Sequence, residues 1–366
     1  MSLKSWLAGD AVNASDLNNN FIKLLKPVFG DGDNGDVTIS SNITLTSDMY
    51  YDNLTINAGK TLNTGGYRVF VKGTLTIAAT GKLCRDGNAG GNGTQGSPGV
   101  DLGQGGAGGA ALSETFLMGS VPGEKGGNGG DRGVNSIGGA AANGVIGDSI
   151  SNSYGGSGGA GVSGGKGGDG QSKAGGAAGT GGGAGTATAA TTKPRTTAEL
   201  TLMRNFKPTT PIKFTSSAGT GSSGGGGGGG AGSGDTHCYG GMGGGAGGSG
   251  GAGGIVFIVA RIIVNAGTIS ANGGVGGNGA AGTGGISYGG YYAGGGGGGG
   301  GARGGAGGVL ILVYSDLTDT GTISADGGAG GSKGTGGAAG GAGADPGDDG
   351  NDGPAGVNGE EIQIQI

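Results

Sequence analysis

Along residues 157–169 glycine fills two of every three positions, with Ser157, Ala160, Ser163, Lys166 and Asp169 at the third and Val162 as the exception. The same spacing returns at Ala246, Ser249 and Ala252. Three residues make one turn of polyproline II, a helix without internal hydrogen bonds, so its N–H and C=O groups point outward. Where two of three faces are glycine, neighbouring segments can approach until their backbones bond to each other. Groups that would be costly to bury unpaired are then satisfied. Ordering each glycine carries a large entropy cost. The sequence therefore predicts a cooperative bundle of polyglycine II helices with β-strands as its walls.

Composition narrows the alternatives. Of 366 residues 109 are glycine, and seven Phe, nine Tyr and one Trp cannot fill a conventional core in a chain this long. Ordinary helical and α/β enzymes are excluded on that ground. Collagen needs an unbroken Gly-X-Y register with proline at roughly 15–20 %, and eight prolines with frequent Gly-Gly pairs do not supply it. A net charge of −5 gives no drive toward nucleic acid or an anionic membrane. Cys84 and Cys238 form neither a CxxC pair nor a disulfide framework. The first residues lack an apolar leader, and the longest apolar stretch, 255–264, is short and contains Arg261. Neither a signal peptide nor a membrane span is expected.

The chain divides by period. Residues 1–30 carry a helical pattern near 14–26: Asn13 or Ser15 can cap it, Leu17, Phe21, Leu24 and Leu25 recur on one side, and Pro27 stops it. Such a helix needs a partner: the next domain, a copy of itself or another protein. Over 31–86 the period becomes two. Val37/Ile39, Ile43/Leu45, Leu54/Ile56, Val69/Val71 and Leu75/Ile77 alternate with polar residues between turn segments, which suits solenoid-like strands or a small sandwich. From 87 to 366 glycine dominates around an internal repeat. Ile255-Val256-Phe257-Ile258 lies 54 residues before Val309-Leu310-Ile311-Leu312, and 267–274 lies 54 before 321–328, with a weaker copy at 81–87. The expected fold is thus mainly β and irregular. It has a short N-terminal helix, a β-rich neck, and a polyglycine II domain with a glycine-poor insert at 187–218 and a C-terminal strand at 360–366.

Few residues suggest chemistry. The one histidine, His237, adjoins Cys238, but adjacent side chains rarely face one site and no further soft ligand lies near. Asp31, Asp33 and Asp36 are spaced as calcium ligands are, without a closing Glu, and read more simply as Asp-Gly turns. No catalytic constellation, metal site or cofactor is expected. What stands out is the set of islands between glycine tracts: Phe116 and Met118 in one, His237 and Tyr239 in a second, Tyr288, Tyr291 and Tyr292 in a third. Tyrosines on glycine-flanked loops offer amphipathic contact at low entropy cost, although such rings can equally cap the ends of a bundle. The insert adds Lys193 and Arg195, which could meet phosphate or acidic sugars.

The N-terminal residues carry a resemblance. Trp6-Leu7-Ala-Gly-Asp10-Ala-Val12 and Ala14-Ser-Asp16-Leu17-Asn18 with Phe21 resemble the N-terminal signature of bacteriophage tail and tail-fibre proteins. Residues 29–39, and 49–56 leading to 66–75, are similar to segments of glycine-rich phage tail proteins. Together these cover about residues 6–86. The remainder is similar in plan to the glycine-rich tip adhesins of T-even-like phages, in which a polyglycine II domain presents loops to a host receptor. The resemblance implies a virion protein, made in the host cytoplasm and released by lysis, whose Trp6, Leu7, Leu17 and Phe21 attach it to other tail proteins. Its islands would bind a bacterial surface glycan or outer-surface protein, and a homotrimer is the expected state. The alternatives are a virion decoration protein without a receptor and an ice-binding polyglycine II protein.

Overall fold

The computed structural model describes residues 28–97, 103–113, 115–117, 119–120, 122–130, 239–287, 292–342 and 344–366. The helix expected at 14–26 and the insert at 187–218 lie outside them. The two described residues next to the first, Val28 and Phe29, are helical.

The described residues contain twelve strands: β1 (Val37–Ile39), β2 (Ile43–Thr44), β3 (Met49–Tyr51), β4 (Leu54–Ile56), β5 (Thr61–Asn63), β6 (Val69–Ile77), β7 (Lys82–Cys84), β8 (Ile255–Asn265), β9 (Thr268–Ser270), β10 (Val309–Asp319), β11 (Thr322–Ser324) and β12 (Glu360–Gln365). They form two sheets. The longer runs β1-β4-β6-β8-β10-β12, with β3 also on β6; the shorter runs β11-β9-β7-β5-β2. Every pairing between these strands is parallel. Parallel neighbours need a crossover rather than a hairpin, so a hairpin-built sandwich is not present and the strands stack as coils. Each coil lays a strand on the long sheet, turns, and lays a short one on the other.

The internal repeat becomes register. Val309 pairs with Ile255 and Thr322 with Thr268, each 54 residues apart, and β7, the weak third copy, pairs Lys82 with Thr268. In the early coils β5 returns to β6 through Gly65 and Gly66, whose φ values of 62° and 83° belong to the left-handed region. An added Cβ at Gly65 would strike the carbonyl of Leu45. After β7 the return path changes: the chain leaves the sheets along one glycine tract and comes back along another.

Those tracts carry neither α-helix nor strand, so the described residues are mainly parallel β rather than a regular helical bundle. Their backbones nonetheless bond laterally at three-residue intervals. Gly274, Gly277, Ala280 and Thr283 donate to the carbonyls of Gly251, Gly248, Gly245 and Met242 at 2.8–2.9 Å. On another side Gly244, Gly247, Gly250 and Gly253 donate to Gly297, Gly300, Arg303 and Ala306 at 2.9–3.1 Å. The 239–254 tract also bonds to residues 85–97, 103–113 and 122–130, and it is buried almost throughout. Side-chain volume is replaced there by backbone pairing.

Glycine triplets could slide past one another in steps of three at little cost. Asx side chains on the outer row oppose this. Asp86 Oδ1 accepts from Asn272 N at 2.8 Å, and Asn272 Oδ1 from Asp326 N at 2.7 Å; Asn92, Asn278 and Ser332 repeat the pattern two triplets further out. At the final row Asn358, Asp352 and Asp349 cap the N–H groups of Gly327, Lys333 and Gly336. Asn272→Ala removes an acceptor used by Asp326 N and by Ser324 Oγ. It is expected to lower stability by about 1–2 kcal/mol in urea denaturation, while Asn272→Asp, which keeps the oxygen, restores most of it.

Apolar alternation gives the long sheet two buried faces. Val256, Ile258, Leu310 and Leu312 point inward, where they join Leu62, Leu83 and Ile269 of the short sheet. Ile255, Phe257, Val259, Val309, Ile311 and Val313 point outward and form a second cluster with Phe29, Phe70 and Leu117. Near-continuous apolar runs in β8 and β10 are what burial on both faces demands.

Candidate functional site

The tracts run out from the sheets and back. Residue 254 is next to β8 and residue 271 follows β9, whereas Tyr239 and Ile286 pair at the opposite end, Tyr239 N donating to Ile286 O at 3.0 Å and Ile286 N to Tyr239 O at 2.8 Å. Fifteen residues of chain, which reach at most about 50 Å when extended, separate this end from the sheets. The 292–308 tract begins here too. Tyr292 lies against Gly341, where any Cβ would meet its ring, and Ala293 N donates to Ser287 Oγ at 3.2 Å. Gly295 N reaches Asp345 O at 3.0 Å, and Ala342 bridges Ala344. The tip thus gathers Tyr239, Ile286, Tyr292, Gly341, Ala342 and Asp345 from connections far apart in sequence. Ile286 is 45 % exposed, and both rings are half-buried. The tip's polar groups include backbone amides, the tyrosine hydroxyls and the exposed Asp345 side chain.

Phe116 does not belong to this tip. Leu117 N donates to Gly66 O at 2.8 Å, Thr115 Oγ1 to the same carbonyl at 3.0 Å, and Arg85 Nη2 to Ser113 O at 2.8 Å. Residues 112–113 and 115–117 are therefore held against the sheets. The centre of the Phe116 ring lies 4.2 Å from the Arg68 guanidinium, which is also 5.4 Å from the centre of the Phe70 ring and is bound to Asp48 through Nε at 2.9 Å. A cation desolvated between two rings and a carboxylate fixes the island in place. Sequence alone could not separate this island from the tip ones, because both interrupt glycine. The distinguishing signal is an Arg at each of two strand ends, Arg68 just before β6 and Arg85 just after β7, both of them buried.

Met118, His237, Tyr288, Tyr291, Lys193, Arg195, Trp6, Leu7, Leu17 and Phe21 lie outside the described residues. Asp31, Asp33 and Asp36 are exposed ahead of β1. Asp31 Oδ1 accepts from Asp33 N at 3.2 Å and Asp36 Oδ1 from Asn53 Nδ2 at 2.8 Å, so these oxygens serve a turn and a strand edge. Among the described residues no three His, Cys, Asp or Glu side chains gather as a metal site would require, and no helix is long and apolar enough to cross a membrane.

Cys84 is buried, and burial together with nearby Asp86 raises its thiol from the usual value to about 11. Only the thiolate alkylates. At pH 8 Cys84 is expected to react with iodoacetamide at least about a hundredfold more slowly than a free thiol until the chain unfolds, as mass spectrometry of the labelled protein would read.

Compared with known proteins, no family model, curated protein or solved structure matches the chain.

Proposed function

We propose that this protein is a non-catalytic virion component of a tailed phage, a tail fibre or adhesin that holds the particle through its N-terminal segment and binds the host surface through its tip. The observation that carries the reading is the convergence of Tyr239, Ile286 and Tyr292 at the end farthest from the sheets. Half-buried rings beside an exposed apolar side chain, on short, tightly anchored loops, give contact area with little ordering cost. In this reading the glycine tracts are polyglycine II helices, supported by their lateral bonds at every third residue. His237, Tyr288 and Tyr291, near in sequence to these residues, are proposed as further receptor contacts. Its partner is a bacterial glycan or outer-surface protein, and assembly as a trimer makes weak single sites sufficient. Trp6, Leu7, Leu17 and Phe21 supply apolar surface for tail proteins.

The test is adsorption. Particles carrying Tyr239→Ala with Tyr292→Ala should adsorb to host cells at least about tenfold less, as loss of two aromatic anchors worth about 1 kcal/mol or more each implies. The thermal midpoint of the purified chain should barely move. Unchanged adsorption would overturn receptor binding and leave a structural virion protein.

A further inference from the structure

Asparagine followed by glycine is among the least durable dipeptides, because glycine carries no side chain to hinder attack of its own nitrogen on the asparagine amide. The chain has seven such pairs, and six of them, at Asn34, Asn92, Asn128, Asn272, Asn278 and Asn358, are among the described residues. Asn34, Asn92, Asn278 and Asn358 are exposed, so burial does not shield them from water. All six are nonetheless held in one way. The side-chain oxygen accepts a backbone N–H at 2.7–3.0 Å. The N–H of the following glycine donates to a backbone carbonyl at 2.6–2.8 Å.

In three of the pairs a single facing residue takes both bonds. Asn272 Oδ1 accepts from Asp326 N at 2.7 Å, and Gly273 N donates to Asp326 O at 2.8 Å. Asn278 with Gly279 grips Ser332 in the same manner, and Asn92 with Gly93 grips Asn278. This clasp gives asparagine before glycine a structural purpose in the tracts.

We propose that these Asn-Gly pairs are concealed modification sites, which turn to isoaspartate only when a tract opens and then bar that tract from closing. In the reaction the glycine nitrogen loses its proton and bonds to the asparagine Cγ. The Cγ–Nδ2 bond breaks, ammonia leaves with that proton, and a five-membered succinimide remains. Water opens the ring at either carbonyl, giving aspartate or isoaspartate. While the tracts are paired neither reactant is free: the glycine N–H is spent on a carbonyl, and the amide is held by its oxygen. Opening releases both.

The two products differ in what they do to the lattice. Aspartate keeps the clasp, as Asp86 with Gly87 demonstrates on Asn272, with Asp86 Oδ1 accepting from its N–H and Gly87 N donating to its carbonyl, both at 2.8 Å. Isoaspartate routes the backbone through the former side chain and so adds a methylene to a chain whose lateral bonds recur every third residue. The triplets beyond it are displaced against their partners. Nothing in this depends on host recognition.

Ageing the full chain at mildly alkaline pH tests it, with the products read by peptide mapping and enzymatic methylation of isoaspartate. Each of the six sites should convert at least about tenfold more slowly in the folded chain than in urea. Equal rates at the exposed sites would overturn the proposal. Ser332→Pro removes the N–H that pins Asn278. The neighbouring tract already holds a proline, Pro354, whose carbonyl accepts from Gly304 N at 3.1 Å. In this variant Asn278 should convert at least about threefold faster, with Asn272 and Asn358 unchanged; no acceleration at Asn278 would sink the role given to the clasp. Chains aged in urea and then refolded test the second half. Those with aspartate at position 272 or 278 should enter the protease-resistant fraction at least about tenfold more than those with isoaspartate there. Equal shares would refute the one-way step.

Discussion

Gly305→Ala is expected to cost about 3–5 kcal/mol, enough to unfold the glycine region under mild denaturant. The added Cβ would overlap the carbonyl carbon and oxygen of Gly251. Neither can move alone. Gly305 N donates to Gly274 O at 2.7 Å, its own carbonyl accepts from Gly328 N at 2.8 Å, and Gly251 N is bound to Asn88 O at 2.8 Å. Relieving one methyl therefore shifts three neighbouring tracts. Gly284→Ala is the control: its nearest atom would be Ala338 O at 3.4 Å, an ordinary contact. That variant should match or slightly exceed the parent, because alanine lowers the entropy of the unfolded chain by a few tenths to about 1 kcal/mol. Urea midpoints of the two variants read the difference directly. Equal midpoints would mean that backbone apposition does not hold the tracts.

The second large effect is expected at Leu310→Ala, which should destabilise by about 3–5 kcal/mol. Leu310 is fully buried in the inner cluster, paired with Val256 on one side and Glu361 on the other. Strands bonded on both edges cannot collapse into the space left behind, so the cavity term is fully felt. Ile323→Ala, at the half-buried end of the short sheet, should cost about half as much or less. Calorimetry of the pair would show whether the coils or the glycine tracts dominate the melting transition.

Much of the β architecture was legible in the residues. Alternation located β1, β2, β4 and β6, and the offset of 54 between 255–258 and 309–312 became the register of β8 on β10. Direction was not legible: alternation in short strands such as Leu54–Ile56 is the same for solenoid and sandwich, and only the parallel pairing of Leu54 with Leu75 decides it. The second buried face was visible in the unbroken run 255–260 but does not say what covers it. For the site, interruptions of glycine marked Tyr239 and Tyr292 and Phe116 alike. Their separation into tip and base depends on how many triplets each tract contains before it turns, which local pattern does not encode.

The lateral bonding also sets how the molecule carries load. The tracts lie along the line from sheets to tip, and their hydrogen bonds run across it, as in the 242–251 and 274–283 pair. A pull on the tip relative to the sheets is therefore shear: every cross-bond between two tracts is strained at once, and none can open before its neighbours. A hairpin pulled from its open end, by contrast, unzips one bond at a time. A protein anchored at one end and gripped at the other gains tenacity from weak bonds in this geometry, and each added glycine triplet lengthens the reach and adds a bond to the joint.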